Sequence, residues 1–112
     1  MCSNYRPTTG RDLIHFGVEP PDDLIVGRDV YPGDVGPMLF RSDDAPELSC
    51  VAGTFGLLPV WAKERSFARR TYNARSETVA EKPSFRNAWR HQQRCIVPAR
   101  AIYEPNYDSG KA

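Results

Sequence analysis

The sequence predicts an α+β fold of short strands and many turns, and three observations carry that prediction. Ten prolines and eight glycines in 112 residues interrupt any long helix. Short apolar, β-prone runs alternate with clusters of turn-forming residues, as in PMLF, SDDAP and ELSCVAGTFG. A helical apolar spacing appears at Phe85, Ala88 and Trp89, at i, i+3 and i+4. A chain of this length fits one domain with one modest core.

Taken in order, Thr8 or Thr9 caps a short helix whose apolar face is Leu13, Ile14 and Phe16, ending at Gly17. His15, between Ile14 and Phe16, is expected to pack on that helix. PPDD at 20–23 is a loop, and LIVGRDVY (24–31) reads as a strand stopped by the turn pair Pro32-Gly33. PMLF (37–40) and ELSCVAGTFG (47–56) form a hairpin around SDDAP. LPVWAKE (58–64) is a short helical turn, RSFARR follows as a basic stretch, and TYNARSETV is a strand or loop. Pro83 and Ser84 open a helix that buries Trp89 beside Phe85. RCIVPA and RAIYE (94–104) are two strands, or one bent at Pro98. The last residues, YDSGKA, have turn composition after the apolar run AIYEPNY, so a second hairpin arm is expected to follow and the chain to be the first part of a longer domain.

The net charge of +1 conceals an asymmetry. Residues 1–62 carry four Arg against nine acids, whereas residues 63–94 carry nine Lys or Arg against three acids. Such a basic block suits a phosphate backbone, where each neutralised phosphate releases a counterion, or forms a solvated surface. No run approaches the ~18 apolar residues of a membrane span, and the start MCSNYRPTTGRD is not a secretory leader. Three cysteines without such a leader suggest free thiols in a cytoplasmic protein. Cys50 and Cys95, in the runs LSCVAG and RCIVPA, are expected to be buried and structural. Two histidines and no C-x-x-C pair predict neither a metal site nor a cofactor.

Cys2 has a different chemistry. Removal of Met1, the usual outcome before a small residue, would leave an α-amine and a thiol on one residue. Their reference pKa values, about 7.7–8.0 and about 8.5, give both a reactive fraction near neutral pH. The pair suits an aldehyde: the amine forms an imine and the sulfur closes onto it as a five-membered thiazolidine.

Further along the chain stand Asn73, Arg75 and Glu77 in YNARSET, and Glu104 at the end of RCIVPARAIYE. Together with Met1-Cys2 and FGLLPVWAK (55–63), these stretches resemble the SOS-response-associated peptidase family, whose members are also called abasic-site processing or shielding proteins. Its hallmarks are a Cys after the initiator Met, N-A-R-x-E-T, and R-C-x-x-P-A-x-x-[FY]-[YF]-E. Here they stand as Cys2, Asn73 to Thr78, and Arg94 to Glu104 with Ile102 at the first aromatic position, and with Phe55 at the usual Trp of W-G-L-x-P-x-W-x-K. The resemblance implies a mostly antiparallel, barrel-like sheet with peripheral helices, incomplete at the C-terminus, residues 1–112 being the N-terminal part of a single domain. It implies a sensor of abasic sites in single-stranded DNA that crosslinks to the ring-opened sugar through Cys2.

Within that resemblance Asn73 holds the N-terminal residue and the sugar, and Glu104, a carboxyl against an apolar wall, moves protons for ring opening and imine formation. Arg75 meets phosphates beside the lesion, and Trp61 stacks on exposed bases without regard to sequence. Arg69 and Arg70 are further candidates for DNA contact. Many family members follow the Cys with Gly-Arg; this chain has Ser3-Asn4, so Asn4 can hydrogen-bond a phosphate but brings no charge. The family's later S-x-x-H-x-R-M-P-type segment, whose His assists ring opening and crosslink reversal, has no counterpart before Ala112. The expected protein is therefore an abasic-site processing enzyme, monomeric as a full domain. Two other readings stay open: a hydrolase or autopeptidase with Cys2 as nucleophile, and a non-catalytic nucleic-acid-binding fragment using residues 63–94.

Overall fold

A computed structural model describes residues 2–105 of the chain. Strand β1 (Asn4–Pro7) pairs antiparallel with β4 (Ala99–Tyr103), with Asn4 opposite Tyr103 and Tyr5 opposite Ile102. The register shifts between Arg6 and Pro7, where proline has no N–H to give the ladder. Strand β2 (Val35–Phe40) pairs antiparallel with β3 (Ser49–Thr54), from Val35 opposite Thr54 to Phe40 opposite Ser49. This is the hairpin around SDDAP that the turn residues predict.

The fold is α+β, but the described strands form two separate two-stranded sheets and no closed barrel. Single bridges tie them into the rest of the chain. Leu39 of β2 exchanges two 2.8 Å hydrogen bonds with Ile96, just ahead of Pro98 and β4. Tyr5 of β1 exchanges bonds of 3.1 and 2.7 Å with Val30. The segment 94–104 is thus two short pieces parted by Pro98, one of the two forms its sequence allows.

The expected strand at 24–31 is absent. Only Val30 finds a partner, because β1 offers a short edge that ends in a proline and cannot extend the ladder. The turn after it is as expected: Asp34 N–H donates to the Tyr31 carbonyl at 2.8 Å, and Gly33 takes the φ of 93° that such a turn needs at its third position.

Helical structure is scarce. Gly10–Phe16 is a 3-10 helix, closed where the Gly17 N–H donates to the Ile14 carbonyl; Thr9 precedes it without a side-chain cap. With three residues per turn, Ile14 points about 120° away from Leu13. Leu13 is fully buried, while Ile14 and Phe16 are exposed, so the predicted three-residue apolar face reduces to one residue. His15 is exposed too, contrary to its expected packing. LPVWAKE makes only a turn, with Ala62 N–H on the Pro59 carbonyl at 2.9 Å, and the basic stretch after it forms a 3-10 helix, Arg65–Arg70.

TYNARSETV is loop and turn rather than strand. Helix α1 (Arg86–Arg90) begins later than Pro83, and Trp89 is 45% exposed rather than buried. Leu13, Val18 and Leu39 form the core, with Leu48 and Cys50 packed on it. Cys95, expected in the interior, is exposed. The YDSGKA turn lies outside the described residues.

Candidate functional site

Antiparallel pairing of β1 with β4 determines which residues meet at one end of that sheet. With Asn4 opposite Tyr103, the chain ahead of β1 runs beside the chain beyond β4. Ser3 seals the approach: its N–H and its hydroxyl both donate to the Tyr103 carbonyl, at 2.9 and 3.1 Å. Cys2 and Glu104, far apart in sequence, therefore become neighbours, close enough for the carboxylate to act on the thiol. The Cys2 thiol is pushed up from its ordinary value, first by burial and then by the negative charge of Glu104. Its Sγ donates to the Asn4 carbonyl at 3.5 Å, which opposes part of that rise.

A third segment arrives through an aromatic chain. Tyr5 packs edge-on against Phe55 with centroids 5.3 Å apart, and Phe55 against Tyr72 at 5.7 Å. Gly56, at φ 120°, lets the backbone after Phe55 lie against the helix Arg65–Arg70; a Cβ there would overlap the Ala68 carbonyl. Two bonds then lock the contact: the Thr71 hydroxyl donates to the Leu57 carbonyl at 2.6 Å, and the Leu57 N–H donates to the Thr71 carbonyl at 3.2 Å. Tyr72 and Asn73 follow at once. The Asn73 side-chain amide donates to the Cys2 carbonyl at 3.1 Å.

Cys2, Asn73 and Glu104, the three residues singled out for chemistry, thus lie together. Glu104 is exposed, so the apolar wall expected beside it is absent on the solvent side. Cys2 also lines an open cleft of about 630 Å³ between the two sheets, with Tyr5, Phe55, Tyr72 and Cys95 among its walls. Sequence reasoning did not assign Tyr5, Tyr72 or Cys95 to the site. The available signal was the alternation that turns Tyr5 inward from a strand starting beside Cys2. Tyr5 is 6% exposed, and burial, with the nearby Cys2 and Cys95 thiols after it, pushes its phenol up to about 12.

The expected DNA contacts divide into two groups. Arg70 and Arg75 share a groove of about 490 Å³ with Asn73, Lys82 and Phe85, so the cationic residues start where the Cys2 contact ends. Arg69 instead lies over Gly33, and Trp61 stands half-exposed, edge-on to Phe67 at 5.1 Å. Neither lines that groove. Asn4 is half-buried in β1, and its side-chain oxygen, 2.9 Å from the Ser3 hydroxyl, shares that group's one proton with the Tyr103 carbonyl. No described helix is long and apolar enough to cross a membrane.

Comparison with known proteins adds three findings. The model of a family described as SOS response associated peptidase matches residues 1–112. Over 50 residues the chain is 48% identical to the abasic site processing protein YoqW of Bacillus subtilis (strain 168), and 46% identical to YoaM of the same organism, also described as an abasic site processing protein. Those stretches cover 45% of this chain and 22% of each relative. A crystal structure of a protein from Bordetella bronchiseptica superposes with a TM-score of 0.78 at 36% identity, over 99% of this chain and 54% of that one. The chain thus spans about half the length of its structural relative.

Proposed function

The chain belongs to the SOS response associated peptidase family, and from that membership we propose that it senses abasic sites in single-stranded DNA and joins them covalently through Cys2. The carrying observation is the hydrogen bond to the Cys2 carbonyl from Asn73, which also lines the groove holding Arg70, Arg75 and Lys82. It fixes the backbone of the reactive residue beside a surface suited to phosphates, leaving the sulfur and the nitrogen free of that grip. The names of the Bacillus relatives, abasic site processing proteins, support the same substrate.

Once Met1 is removed, the Cys2 α-amine adds to the aldehyde carbon of the ring-opened sugar, and loss of water leaves an imine. The Cys2 sulfur then bonds to the imine carbon while the thiol proton ends on the nitrogen, so that aldehyde and aminothiol give thiazolidine and one water. Burial and the Glu104 charge keep the thiol protonated at neutral pH. Attack therefore needs a base as the carbon–sulfur bond forms, and Glu104 is the carboxylate at hand. Arg75 and Arg70 draw in the strand, and the exposed Trp61 stacks on a base further out.

A gel tests the reading. An oligonucleotide with one abasic site should give a band shift that survives denaturation and is absent with Cys2→Ala. A shift that disappears in salt would leave only non-covalent binding. Loss of mass beyond the initiator Met, without DNA, would point to the Cys2 hydrolase instead.

A further inference from the structure

The segment from Lys82 to Tyr103 contains no Asp or Glu, and it carries helix α1. Arg86, Trp89 and Arg90 stand at i, i+3 and i+4, so they share one side of the helix. Arg94 folds back over the indole, its guanidinium carbon 4.7 Å from the Trp89 ring centroid. Among the described residues the ion pairs are Arg6–Asp29 and Arg100–Asp12, so none of the three arginines here is neutralised. Trp89 keeps nearly half of its surface in water, although a ring of that size would normally be covered. Phe85, directly ahead of α1, lines the groove that holds Asn73 and Arg75.

We propose that α1 is a second contact for single-stranded nucleic acid, with Trp89 and Arg94 as a stacking platform and Arg86 and Arg90 as phosphate contacts, reached by a strand leaving the Asn73–Lys82 groove. The inference rests on the nucleic-acid part of the reading above and is independent of its aldehyde chemistry. Charge complementarity selects the occupant: three guanidinium groups that have no ion-pair partner among the described residues, set around one planar ring, match a chain that alternates phosphates with flat bases. The Arg94–Trp89 contact holds both side chains in place before binding, which reduces the rotamer entropy lost when a base arrives.

The consequence is a dependence on strand length. Binding is measured with intact thymidine oligonucleotides of about 4 and about 16 nucleotides, spanning the usual site sizes of such surfaces. Trp89→Ala should weaken the long oligonucleotide about 5- to 150-fold, the factor expected for one stacked base, and leave the short one unchanged. Trp89→Phe should restore most of that loss. Arg94→Gln, at an exposed position, should weaken the long oligonucleotide, and Arg90→Gln should lower its salt slope by about 0.7. Unchanged affinity of the long oligonucleotide in Arg94→Gln and Trp89→Ala overturns the proposal, as does an equal loss on both lengths. Should Trp89→Ala lower the melting temperature, Arg94→Gln decides alone. A protein that crosslinks abasic DNA yet shows no length effect loses this contact only; one that shows the length effect without crosslinking loses only the thiazolidine.

Discussion

At the residue scale, Glu104 has two opposed effects on Cys2, and one substitution separates them. Its charge helps hold the thiol above its ordinary range, so Glu104→Gln should raise the thiolate fraction and speed alkylation by iodoacetamide at a given pH. The same change removes the proton acceptor, and crosslinking to abasic DNA should slow by about 10²–10⁴. Both rates rising together in Glu104→Gln would end its role as a base. Tyr5 yields a second prediction. Folding holds its phenol at about 12 against an ordinary 10.0. The native state keeps a proton that the unfolded chain releases above pH 10, so this contribution is complete below pH 10 and is lost as pH rises through 12. Tyr5→Phe should flatten the fall in stability across that window, measured as urea midpoints at a series of pH values.

At the scale of elements, the glycine of FGLLPVWAK acts through packing. Gly56 allows the strand end to touch the helix Arg65–Arg70, and that contact delivers Asn73 to Cys2. Gly56→Ala needs a positive φ and an overlap with the Ala68 carbonyl, so it should cost about 1–3 kcal/mol. Thermal melting should fall by roughly 4–8 °C per kcal/mol in a domain of this size, with crosslinking reduced alongside; an unchanged melting temperature would mean that this contact yields easily. The hairpin of β2 and β3 was legible because turn residues lie between two apolar runs. Cys2, Asn73 and Glu104 each stand in a short motif, but their nearness comes from the pairing of β1 with β4 and the reach of Asn73, which no motif states. Nor was the outcome at 24–31 legible, because its composition says nothing of whether a neighbouring edge can accept it. Trp89 was misread for a related reason: helical spacing says which residues share a face, but not what lies opposite.

At the scale of the whole molecule, binding should be governed by the basic middle of the chain rather than by its net charge of +1. Arg75→Ala should lower the salt slope of single-stranded DNA binding by about 0.7, one phosphate's share; an unchanged slope would return Arg75 to a purely local role. Among the described residues β4 pairs with β1 alone, and Ile102 is 64% exposed. Such an edge favours strand-to-strand association, so sedimentation should reveal self-association that rises with concentration and weakens with Ile102→Lys. The hydrogen bond from Asn73 has a last consequence. It ends on the Cys2 carbonyl, an atom that the proposed ring closure neither forms nor breaks a bond to. The grip is therefore the same before and after reaction, and nothing in it distinguishes reactant from product or drives the two apart. If the proposed crosslink forms, it joins one chain to one lesion, and a titration end point with abasic oligonucleotide should measure it directly.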